Sequence, residues 1–172
     1  NWTMANLDLC LVRHGSTDWT EQSRFCGWSD IGLSSLGKLE VESLKKNIDP
    51  NFFDMVFSSD LSRCLETADI IGSNPQVDSR LREVFFGKFE GLTWKELDDD
   101  ERKVFLDVEN FRFPAGESHS DFNNRIKDFL FSLEDGSHLL ITHGGVIRLI
   151  LNLYARDVPV PPGGFVEISL EL

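Results

Sequence analysis

The sequence predicts an α/β fold built on a mostly parallel central sheet. Three observations predict it. Apolar runs of strand length alternate with segments of helical periodicity. One run, Leu139-Leu140-Ile141-Thr142, is almost wholly apolar, the pattern of a strand covered on both faces. The chemically distinctive residues Arg13, His14, Arg63 and His143 follow predicted strands, and open α/β sheets bind ligands beyond the carboxyl ends of their strands.

The elements follow in order. Leu7 to Val12 reads as the first strand. Leu33, Leu36, Leu44 and Ile48 recur at near-helical spacing, and Pro50 closes that helix. Asp54 to Phe57 is a second strand. Ser59 or Asp60 then caps a helix that buries Leu61, Cys64, Leu65, Ala68 and Ile71. Residues 76–92 read as extended and turn-rich, and the run Asp98-Asp99-Asp100-Glu101 as a solvated face. Ser118 opens a helix with Phe122, Ile126, Phe129, Leu130 and Leu133 facing inward. After the strand at 139–142, Gly145 to Tyr154 forms a helix apolar on most sides, hence buried. Pro159, Pro161 and Pro162 mark a loop, and Phe165 to Leu170 an edge strand.

A length of 172 residues suits one domain over 1–172, and 41% hydrophobic content suffices for a core. Residues 1–6 read as a disordered or tag-derived start, with Met4 a candidate native first residue. They lack the basic and apolar regions of a signal peptide. The net charge of −12, from 29 acidic and 17 basic side chains, argues against a nucleic-acid or membrane-surface binder. It leaves room for an anionic small molecule, because a few clustered arginines reverse the field inside one cleft. Cys10, Cys26 and Cys64 are widely spaced and odd in number, as expected of free thiols in a reducing compartment. No apolar run reaches the roughly 18 residues of a membrane span. The expected location is the cytoplasm.

Six segments carry chemistry. Arg13-His14-Gly15 with Thr17 ends the first strand. Arg24-Phe25-Cys26-Gly27-Trp28-Ser29-Asp30 follows, with Leu33 and Gly37. Then come Ser58-Ser59-Asp60-Leu61-Ser62-Arg63-Cys64-Leu65-Glu66-Thr67-Ala68, and Leu81-Arg82-Glu83 with Gly87 and Glu90-Gly91. Pro114-Ala115-Gly116-Glu117-Ser118 and Thr142-His143-Gly144-Gly145 complete the set. In this order the segments resemble the motifs of the histidine phosphatase superfamily, the phosphoglycerate-mutase-like group. The resemblance implies a three-layer α/β/α sandwich with a mostly parallel central sheet.

It also implies roles. His14 corresponds to the nucleophile, whose neutral imidazole attacks phosphorus. Arg13 and Arg63 grip phosphate oxygens through planar guanidiniums. A cation in the first turn of a helix is unfavourable unless an anion lies between, which favours this reading of Arg63. His143 supplies a proton-bearing imidazole to the transferring oxygens, with Gly144 at a helix start beside it. Glu83 is the general acid, and the base for water in the second half. Thr20, Cys26, Gly27 and Gly144 are candidate substrate-binding positions. Thr20 stands where the family often has Asn, and a hydroxyl still donates one hydrogen bond. Glu90 reads as structural, and Asp60 as a helix cap. No metal-ligand spacing exists, since His119 and His138 are isolated, so neither metal nor cofactor is expected.

The resembling mutases carry an extra segment between the acid motif and the Gly-Glu-Ser block, and residues 84–115 are short by comparison. Hydrolysis of a small phosphate ester is therefore expected first, with α-ribazole 5′-phosphate the candidate that the overall shape favours. Phosphoglycerate mutase activity is second, and a non-catalytic phospho-ligand module third. Phe25, Trp28, Phe85, Phe86 and Trp94 are candidates for an apolar leaving-group pocket. The expected partner is a small-molecule phosphate ester, with no nucleic acid and no membrane, and the protein itself is expected to be a monomer or homodimer.

Overall fold

The computed structural model describes residues 5–172. Five strands form one sheet: β1 (Asn6–Arg13), β2 (Met55–Ser58), β3 (Gln76–Val77), β4 (Gly136–Thr142) and β5 (Phe165–Glu171). Their order is β3-β2-β4-β1-β5. All neighbours are parallel except β1 and β5, which pair antiparallel. The continuously apolar run thus lies at the centre, and β5 lies at an edge with strict alternation of buried and exposed residues. Residues 1–6 were expected to be disordered or tag-derived, and the first of those alternatives does not hold for residues 5 and 6. Instead Ala5 exchanges backbone hydrogen bonds with Leu172, and Asn6 starts β1. The expectation for residues 1–4 lies outside the described residues.

The period-2 alternation of β1 divides the core in two. Leu7, Leu9 and Leu11 face one side, with Leu140, and meet α5 (His119–Phe131) and α6 (Gly144–Leu153) through Ile126, Phe129, Leu130, Ile147 and Ile150. Cys10 and Val12 face the other, with Leu139 and Ile141, and meet α2 (Ser35–Lys45) and α3 (Ser62–Ile70) through Val41, Leu44, Cys64 and Ala68. The result is a three-layer α/β/α arrangement. The short α1 (Asp18–Glu21) and α4 (Asp99–Leu106) lie in the connections.

Several local readings change. Leu36 and Leu65 are solvent-facing, at 47% and 36% exposure, while Gly37 and Thr67 are buried. A glycine on α2 is needed for contact: a Cβ at Gly37 would collide with the Ser16 backbone, and one at Gly15 with the Gly37 carbonyl. Asp60 does not cap α3. Its carboxylate forms a two-pronged pair with Arg82 at 2.7 Å for each bond, and the distant Asp30 accepts the Ser62 N–H at 2.7 Å instead. The acidic run is the solvated face that was expected, and it also starts a helix. Asp98 and Glu101 close a reciprocal capping box that starts α4.

Candidate active site

The carboxyl ends of β1, β2 and β4 converge through backbone bonds. His14 N–H donates to the Thr142 carbonyl, and Ser59 N–H to that of Ile141. The Thr142 hydroxyl reaches the Leu81 carbonyl at 2.7 Å and so ties β4 to the segment carrying Glu83. Four candidates from distant parts of the chain are therefore neighbours: His14, Arg63, Glu83 and His143.

His14 is 3% exposed. Its Nδ1 lies 2.6 Å from the Gly15 carbonyl, which can only accept, so Nδ1 carries the proton. Nε2 is left with its lone pair. Burial first, then the Arg63 guanidinium, push the imidazole down to about 3 from 6.5; the Gly15 bond opposes them, and Arg13 adds a smaller downward push. The ring is a neutral base in the resting protein.

The His143 ring stands edge-on to it, 5.1 Å between centroids. Ser59 Oγ accepts from the Leu61 N–H and lies 2.8 Å from His143 Nε2, so its own proton is free to go there. Cys64 Sγ lies 3.4 Å from the same nitrogen; with Nε2 accepting from these neighbours, the ring proton stands on Nδ1, which is buried and has no partner among the described residues. Burial chiefly, and then Arg63 and His14, hold this imidazole well below its ordinary value.

Arg63 is fully buried. The carbonyls of Ser29, Gly27 and Cys26 hold its two terminal nitrogens, leaving Nε unpartnered and buried. Arg13 reaches the Val160 carbonyl at 3.1 Å and likewise keeps a buried, unpartnered Nε. Its guanidinium packs within 3.2 Å of where a Cβ on Gly144 would sit, so a side chain there would crowd it away from the start of α6. Among the described residues, two guanidinium Nε–H donors and the His143 Nδ1–H tautomer thus stand without acceptors beside one imidazole lone pair. Buried donors rarely stay unpaired, and an anion is the partner they suit.

Glu83 adjoins this cluster. One carboxyl oxygen accepts from Val84 N–H and the other from Gly145 N–H, both at 2.9 Å. Its backbone is held too. The Glu83 carbonyl accepts from Trp28 Nε1 at 2.8 Å and from Arg125 at 3.1 Å.

Other candidates sit differently. The Thr20 hydroxyl donates to the Thr17 carbonyl and accepts from the Thr17 N–H, completing the capping box of α1, so its proton is committed there. Cys26 and Gly27 contribute carbonyls that brace Arg63 from behind, and the Gly27 N–H binds Glu90. Glu90 gathers Gly27, Ser29 and Phe86 N–H groups and is a loop-binding residue. Arg125 and Glu117, absent from the sequence reading as site residues, form a largely buried pair at 2.7 Å behind Glu83.

A groove of about 910 Å3 opens from Arg13, Glu83, Gly144 and Gly145 and runs between Phe25, Phe86, Phe105, Phe111 and Phe113. Of the expected pocket aromatics, only Phe25 and Phe86 line it. Trp28 and Phe85 stack on each other at 4.7 Å beneath Glu83, and Trp94 packs against Arg102 and Phe105. Among the described residues, no three His, Cys, Asp or Glu side chains gather as a metal-ligating group. No helix there is long and apolar enough to cross a membrane.

The profile of the histidine phosphatase superfamily (branch 1) matches residues 9–163. The chain belongs to the histidine phosphatase superfamily. A protein named "Putative phosphoserine phosphatase 2" from Hydrogenobacter thermophilus is 31% identical over 181 residues, spanning 95% of this chain and 89% of its own length. A "Probable phosphoglycerate mutase GpmB" from Erwinia tasmaniensis is 33% identical over 158 residues, 85% of this chain and 74% of its own. The crystal structure of a phosphoglycerate mutase from Thermus thermophilus superposes with a TM-score of 0.86 at 38% identity, covering 94% of this chain and 92% of that one. Superfamily membership makes the chain a phosphatase- or mutase-type protein and leaves the two to be separated.

Proposed function

We propose that this protein hydrolyses phosphate monoesters through a phosphohistidine on His14. One observation carries the proposal. The His14 lone pair shares its pocket with buried N–H groups on Arg13 and Arg63, and with the His143 ring protonated at Nδ1, that have no acceptor among the described residues. A phosphoryl group supplies acceptors for all three.

Two steps follow. His14 Nε2 forms a bond to phosphorus while the bond to the ester oxygen breaks, and Glu83 gives its proton to that oxygen. Water then forms a bond to phosphorus, the N–P bond breaks, and the water proton passes to Glu83. The two guanidiniums and the His143 N–H hold the three equatorial oxygens, where charge is greatest in the transition state. Charge neutralisation thus comes from side chains, and the enzyme is expected to keep its activity in a chelator. Gly144 lines the groove mouth and permits Arg13 its place.

The groove supports a leaving group with an apolar, flat body. Its rings suit a nucleoside-like alcohol such as that of α-ribazole 5′-phosphate better than serine or glycerate. A small-molecule ester of this kind is the proposed partner. The cytoplasm is the proposed location, where the thiols of Cys10, Cys26 and Cys64 would stay unpaired.

The direct test is release of phosphate from p-nitrophenyl phosphate, which His14→Ala should abolish. Unchanged turnover in that variant would sink the mechanism. The mutase reading rests on the names of relatives such as the Erwinia protein. Incubation with 3-phosphoglycerate and a trace of 2,3-bisphosphoglycerate separates the two. Interconversion without phosphate release would establish the mutase.

A further inference from the structure

Arg125 stands on α5, 15% exposed, and none of its nitrogens faces the reaction. All five of its N–H donors have partners. Nε binds Glu117 at 3.0 Å. One terminal nitrogen serves the carbonyls of Arg80 and Arg82, at 2.8 and 2.7 Å. The other serves the Glu83 carbonyl at 3.1 Å and Glu117 at 2.7 Å. A guanidinium has five such donors and no more. Arg125 therefore has none left for a substrate, and what it holds is the backbone that carries Glu83.

Glu117 extends the grip. Its carboxylate also accepts the Phe85 N–H at 2.9 Å, two residues past Glu83. Trp28 adds a third hold through its bond to the Glu83 carbonyl, and its ring lies under both the Arg125 and Arg82 guanidiniums. The segment from Arg80 to Phe85 contains no strand and only a short 3₁₀ turn at Ser79–Leu81, so little regular secondary structure fixes it. Yet the Glu83 carboxyl must meet an ester oxygen at hydrogen-bond distance.

We propose that the Arg125–Glu117 pair, with Trp28, is the positioning device of the general acid. Arg125 acts on the proton transfer through Glu83 and never touches the substrate. The inference rests on the proposed role of Glu83, and the test separates the two.

A general acid matters for a poor leaving group and little for a good one. Benzyl phosphate needs its alkoxide protonated, whereas p-nitrophenolate departs unaided. Both carry an aryl ring, so the groove treats them alike. The kcat/KM values report formation of the phosphohistidine alone. Glu83→Gln should lower kcat/KM for benzyl phosphate roughly 100-fold or more and spare p-nitrophenyl phosphate by comparison. Arg125→Lys should show the same signature, with a loss of roughly 10- to 100-fold on benzyl phosphate and less than about threefold on p-nitrophenyl phosphate. A lysine offers three donors without a planar fork, so it cannot serve five acceptors.

Trp28→Phe keeps an aromatic ring and deletes one hydrogen bond. It should give a smaller loss, about threefold to tenfold, again confined to benzyl phosphate. That variant covers the case in which Arg125→Lys fails to fold. Equal losses on both esters in Arg125→Lys and Trp28→Phe, beside a split in Glu83→Gln, would make the pair mere structural glue and overturn the proposal. Absence of the split in Glu83→Gln would instead overturn the role of Glu83.

Discussion

Around His14 the protein presents nitrogen atoms at the ends of buried strands. Along residues 105–113 it presents phenyl rings, from the end of α4 and the turns after it, to an open groove. The first region is buried and polar. Arg63 and His143 are wholly buried, and each is held by several partners. The second is apolar and open, with Val108 at 70% exposure on its lip. The difference teaches which part of the molecule sets the chemistry and which part chooses the substrate. A phosphoryl group needs fixed donors, which strand ends and carbonyl braces provide. A leaving group needs surface and shape, which a loop can change without disturbing the sheet.

Four perturbations sharpen or break that division. The largest effect belongs to the nucleophile. His14→Ala should lower kcat/KM for every ester by at least roughly 1,000-fold, because the proposed mechanism has no second nucleophile. A selective loss on some esters would move His14 from chemistry to specificity. Next is Arg63→Met, which removes one buried cation from the transition state. A fall of about 100- to 1,000-fold in kcat, alike across substrates, is expected by steady-state kinetics. A lower melting temperature should accompany it, since the carbonyls of Ser29 and Gly27 lose their donor.

The third acts on the other region. Phe111→Ala should raise KM for aryl esters about threefold to tenfold and leave ethyl phosphate unchanged. Equal effects on both would mean that the groove does not hold the leaving group.

The fourth concerns pH. The His14 imidazole sits at about 3 in the folded chain against 6.5 unfolded, and that of His143 is also lowered. Below pH 6.5 the unfolded chain takes up protons that the native pocket refuses. Stability is therefore full above 6.5 and falls as the pH drops toward 3, by at most about 1.4 kcal/mol per pH unit for each histidine. Urea melts at about pH 7 and about pH 5 without phosphate should show the loss. Added phosphate should reduce it, because the anion favours imidazolium.

Much of the pocket was legible in the sequence because motif residues lie next to strands with clear apolar patterns. β1, β4 and α6 announced where Arg13, His14 and His143 would stand. The groove was not legible. Its wall depends on α4, whose start is a capping box inside a run of acids that is solvated as expected but gives no periodic sign of the helix behind it. Asp60 misled for a related reason. A cap is a local expectation, and the carboxylate found a stronger partner in Arg82, 22 positions away. The Arg125–Glu117 clamp is a tertiary contact between a helix and a loop, and nothing periodic marks either residue. Thr20 kept its hydroxyl, but the short helix α1 claimed it.

The central claim is that His14 carries the phosphoryl group and yields it to water. The measurement that meets it most directly is a quench of the enzyme in alkali during turnover of a labelled phosphate ester, followed by peptide mapping. The account predicts an acid-labile, alkali-stable phosphoryl group on the peptide containing His14, formed with the first burst of alcohol and decaying at the rate of phosphate release. A label on another residue, or one that persists on His14 until a second alcohol is added, would contradict it.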